Sequence, residues 1–154
     1  DITVTRSISF TSAEAADTIT VRTIGPDCAN AIGLYEIRSE GGRPLWAWTA
    51  PLEHAFGDAF APDEPEAMRA FLERWAAPAL ADTSAATPYG ALAPGRTTLD
   101  QLTYEDIRAR TLPMLCHASA QGEETCIFYE PVAGGAGPLF NRDMESGDME
   151  SGEE

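Results

Sequence analysis

The chain has 154 residues, 44% of them apolar, with 25 acidic against 10 basic side chains and a formal charge of -15. That length suits one domain, and three tryptophans with six phenylalanines can furnish a packed core. The charge sets the chain against nucleic acid and polyanionic substrates, whose recognition needs a cationic surface, and no apolar run is long enough for a membrane-spanning helix.

Residues 2–10 alternate. Ile2, Val4, Ile8 and Phe10 lie on one side and Thr3, Thr5, Ser7 and Ser9 on the other, with Arg6 the single break in the apolar row. A period of two predicts a half-buried strand. Residues 17–24 predict a second strand, stopped by the turn signal Gly25-Pro26-Asp27. A third over 31–38 and a fourth over 45–49 flank Gly41-Gly42 and read as an antiparallel hairpin.

The middle changes period. Pro62-Asp63-Glu64-Pro65-Glu66 carries a helix start, with Asp63 as N-cap and Glu66 as its reciprocal partner. Met68, Phe71, Leu72, Trp75 and Ala76 then recur at helical spacing, leaving Arg69, Glu73 and Arg74 outside, and Pro78 ends the helix. Residues 82–98, rich in Ala, Thr, Pro and Gly, read as a loop. Thr103 with Asp106 suggests a second capping box and a short helix to about Thr111. Pro113 interrupts it, and a further turn is expected to carry Met114 and Leu115 to the core. Thr125 to Pro131 predicts a strand with Phe128 and Tyr129 on opposite faces; Gly134 to Pro138 reads as a turn, and Leu139-Phe140 as a short edge strand. From Asp143 the chain is a carboxylate-rich repeat, MESGD then MESGE, which reads as a solvated, disordered tail. Together these predict an α+β domain over 1–142, an antiparallel sheet of four to six strands with two or three helices on one face, followed by an acidic tail over 143–154.

Cys116 and Cys126 flank the turn-forming stretch from Ser119 to Glu124, and their pairing would close a short loop worth about 2–3 kcal/mol by chain entropy. Cys28 is left as a buried small hydrophobe or a rarer alternative partner. A disulfide, and a chain that opens at Asp1 without an initiator methionine, point to a bacterial periplasmic or secreted protein. A lipoprotein anchored ahead of Asp1 fits the same observations.

Catalytic equipment is sparse. Every basic residue is arginine, so there is no lysine for a Schiff base or a phosphate loop, and no glycine-flanked serine elbow occurs. His54 with Glu53 and Asp58, or His117 with Glu130, could supply an acid–base pair. Cys116, His117 and Cys126 lack the close spacings of a structural zinc site, so no metal and no cofactor are expected. Trp46 and Trp48 share one strand face. With Tyr35, Arg38 and Arg43 they form the candidate binding surface; the competing expectation turns them inward against the helix of Trp75. The function expected is that of a noncatalytic envelope or secreted protein that binds a cell-wall component or a protein with a basic surface, an acidic surface speeding such an encounter. Two alternatives stay open: a small hydrolase or acid–base enzyme using His54 or His117, and a carrier with an apolar cavity lined by Trp46, Trp48, Phe56 and Phe60.

Overall fold

In a computed structural model of the protein, residues 1–57 and 64–144 are described. The alternating N-terminal segments form β1 (Thr3–Ile8), β2 (Asp17–Ile24), β3 (Ile32–Arg38) and β4 (Pro44–Pro51). They pair antiparallel in chain order as one four-stranded sheet. The register puts Ile19 opposite Ile37, which in turn faces Trp46, and Val21 opposite Tyr35, which faces Trp48. One face is therefore largely apolar, with Asp17 and Thr23 buried at its two ends. Arg6 shares its parity, opposite Ile19, but lies exposed on the edge strand. A charge there blunts the edge against pairing with another chain.

Two helices follow, α1 (Leu52–Phe56) and α2 (Pro65–Trp75). Pro65 occupies the first turn of α2, where its missing N–H costs nothing, and Glu64 is the N-cap without a side-chain capping bond. The cap expected at Asp63 lies outside the described residues. α2 buries Met68, Leu72 and Trp75.

The second sheet holds β5 (Ala79–Asp82), β6 (Pro113–Ala120), β7 (Glu123–Glu130) and β8 (Gly135–Asp143), again antiparallel and in chain order. Between β5 and β6 lie two 3₁₀ turns, Thr83–Ala85 and Tyr89–Ala91, and α3 (Gln101–Arg110). The α3 cap is Asp100, whose carboxylate accepts from Thr103 N at 2.8 Å, so the helix starts before the expected capping box.

The second sheet is the central layer, because both its faces are covered. Leu115 and Ile127 join the core under the first sheet, with Tyr129 packed against it, while Met114, Cys116, Cys126 and Phe140 join a second core with Tyr104 and Ile107 of α3. Phe128 and Tyr129 thus face opposite sides, as their adjacency in a strand requires. A register shift between Cys126 and Ile127 sends Leu139 and Phe140, adjacent in β8, to the same core.

The class is α+β as expected. Its strands divide into two four-stranded sheets, and the helices do not share one face: α3 covers the outer side of the second sheet, while α2 packs against β1 and β2. Asp143, expected to open the tail, closes β8 and pairs with Arg96 at 2.8 Å, and Met144 N donates to Gly122 O. The rest of the expected tail lies outside the described residues.

Candidate functional site

His117 projects from β6 toward the first sheet and is 1% exposed. Its ring stacks on Tyr35 with centroids 4.3 Å apart and meets Trp48 edge-on at 5.9 Å. Trp46 Nε1 donates to His117 Nε2 at 3.1 Å, so that nitrogen is the acceptor and the proton sits on Nδ1, which donates to Ala118 O at 2.9 Å. Trp75 Nε1 donates to the same carbonyl at 2.9 Å. Burial pushes the imidazole down to about 4, against the weaker opposing effect of the Ala118 bond, so it is neutral at pH 7.

This arrangement locates the candidate binding residues. Trp46 and Trp48 are half-buried and turned inward, and Trp48 meets Trp75 edge-on at 5.7 Å. Tyr35 is fully buried; its hydroxyl has no hydrogen-bond partner among the described residues, and burial raises its ionisation far above the ordinary range. Arg38 pairs with Glu36 at 2.8 Å, and Arg43 donates to Ala133 O at 3.4 Å beside the β7–β8 turn. The two arginines lie on the exposed side of the structure while the three aromatics line its interior, so the five do not form one surface.

The histidine alternatives separate as well. Both ring nitrogens of His117 are engaged by an indole and a carbonyl, and Glu130 is held by Arg110 at 2.7 Å. His54 and Glu53 are exposed on α1, and Asp58 lies outside the described residues. Cys116 and Cys126 sit directly opposite each other in the β6–β7 register and are bonded, with Cα atoms 4.0 Å apart. They belong to the second core, away from His117, and Cys28 is buried in the first.

A different place gathers apolar surface. β5 begins at Ala79, opposite Cys116, so β6 runs on from His117 to Ala120 past the end of its neighbour. Pro78 cannot donate to a ladder, and the Trp75 indole takes the Ala118 carbonyl, so the edge is closed to a further strand. What remains beside it is a half-open groove of about 660 Å³. One wall is aromatic: Phe56 and Phe71 lie 5.1 Å apart, Phe71 and Trp75 5.3 Å, and Phe56 and Trp75 6.0 Å. The far side is the end of β6 and the β6–β7 turn, with Ala118, Ala120 and Gln121, and Met144 completes the rim. Gln121 N donates to Ala55 O at 3.1 Å, which ties that turn to α1.

Of the carrier residues expected from sequence, Phe56 lines this groove; Trp46 and Trp48 are not part of its lining, and Phe60 is outside the described residues. Sequence reasoning missed the groove itself. The signal was present on α2, where Ala67, Phe71 and Arg74 follow at i, i+4 and i+7, a second stripe beside the buried Met68, Leu72 and Trp75.

The chain matches no family model, and neither a curated protein nor a solved structure was found to be similar to it.

Proposed function

We propose that the protein is a noncatalytic binding protein of the bacterial periplasm or the secreted fraction, and that it takes up a small apolar ligand in the groove between α2 and the end of β6. The observation that carries this reading is the groove's aromatic wall of Phe56, Phe71 and Trp75, in a space of about 660 Å³. That size falls in the range of small-molecule sites, roughly 300–1,000 Å³, which are characteristically apolar with few polar groups. The engagement of both His117 nitrogens supports binding over acid–base chemistry, because a general base needs a nitrogen within reach of a substrate. The Cys116–Cys126 disulfide supports an oxidising compartment.

Titration with 1-decanol, a neutral probe, followed by tryptophan fluorescence, tests the reading. Saturable one-to-one binding is expected, and Ala67→Phe, which fills the groove from an exposed position on α2, is expected to weaken it by roughly ten-fold. Absence of saturable binding, or an Ala67→Phe variant of unchanged affinity, would overturn it.

A further inference from the structure

The chemical class of the ligand follows from charge at the groove. Its lining contains two charged side chains among the described residues, Arg74 and Glu124. Glu124 is neutralised by Arg142, whose Nε lies 2.9 Å from its carboxylate. Arg74, like Arg6, Arg22, Arg43 and Arg69, has no ion pair among the described residues. His117, the remaining titratable group at the lining, is held neutral by its burial. What distinguishes Arg74 from the other arginines without an ion pair is its place on the lining of an apolar groove.

Resting on the groove reading above, we infer that the ligand is a small monoanionic amphiphile, an apolar chain or ring carrying one carboxylate, with Arg74 holding the head group. A guanidinium presents a planar fork that matches a carboxylate with two parallel hydrogen bonds. The aromatic wall takes the apolar body. The net negative charge does not forbid a single anion, because fields from exposed carboxylates fade beyond about 8–10 Å at ordinary ionic strength while Arg74 acts at contact. It does disfavour a dianion or a polyanion. The position of Arg74 in the last turn of α2 is itself favourable for the helix dipole, so the side chain is stable there with or without ligand.

The test compares decanoate with 1-decanol, both below their aggregation concentrations at pH 8, on the wild-type chain and on Arg74→Gln and Arg74→Lys variants. Arg74→Gln is expected to weaken decanoate by roughly five-fold and leave decanol unchanged. Arg74→Lys is expected to recover part of that loss. Raising NaCl is expected to weaken decanoate on the wild type and not on Arg74→Gln. If decanol binds and decanoate does not, or if Arg74→Gln affects both probes alike, the ligand class is wrong and the groove reading survives. If neither probe binds a folded chain, both fall.

Discussion

At the scale of single residues, the molecule spends its polar aromatic groups inside. A neutral His117 accepts from one indole and shares a carbonyl with another, which satisfies three N–H groups and the second ring nitrogen at once. Such a histidine couples stability to pH. Its ordinary value is 6.5 and its folded value is about 4, so the unfolded chain takes up a proton that the folded chain refuses. The contribution is fully present above about 6.5 and is lost as the pH falls toward about 4, an effect of order 3 kcal/mol. Urea midpoints measured between pH 7.5 and 4 should fall more steeply for the wild type than for His117→Gln; equal slopes would contradict the assignment. The indole partner can be tested separately. Trp46→Phe removes the donor and leaves Nε2 buried without it, at a cost of about 1–3 kcal/mol. That donor favours the neutral ring, so its loss should also raise the imidazole's titration point, read directly by proton NMR.

At the scale of elements, the disulfide joins facing residues of one hairpin. Replacing Cys116 and Cys126 by alanine should cost about 2–3 kcal/mol of chain-entropy stabilisation, visible as a lower Tm that reducing agent no longer changes. The elements differ in how well the sequence announces them. β1 to β4 were legible because one face of their sheet is wet, so apolar and polar residues alternate. β6 was not. Pro113 to Ala120 is covered on both faces, so Met114, Leu115 and Cys116 are all buried and the alternation that marks a strand disappears. β5 lacks β-branched residues altogether, and β8 hides behind Gly135, Gly137 and Pro138, which in isolation spell a turn. The candidate site failed for a related reason. Trp46 and Trp48 are conspicuous in sequence, but only the packing of β6 over β3 and β4 decides that they face inward, and only the short length of β5 opens the groove.

At the scale of the whole molecule, charge is the dominant surface property. Ion pairs such as Arg38–Glu36 and Arg110–Glu130 are partly exposed and contribute little each. The excess of acidic groups repels itself in the folded state. Raising NaCl from 10 to 300 mM should therefore increase Tm; a decrease would mean that the ion pairs outweigh the repulsion. The same excess bears on the binding proposal, since added salt should stabilise the fold while weakening an anionic ligand, and the two effects can be separated by measuring Tm with and without decanoate.

The order of the strands also has a consequence in time. Both sheets are meanders in chain order, and the first is complete by Pro51, whereas the strands that cover it begin at Pro113. During synthesis at about 5–20 residues per second, the first sheet can form seconds before its cover is complete. Until α2 and then β6 arrive, Ile19, Val21, Tyr35 and Ile37 present an apolar sheet face to whatever is nearest. A nascent chain halted in that window is a sticky half-molecule, and a chaperone that holds the N-terminal third until β6 arrives would act at the step where this protein is most exposed to loss.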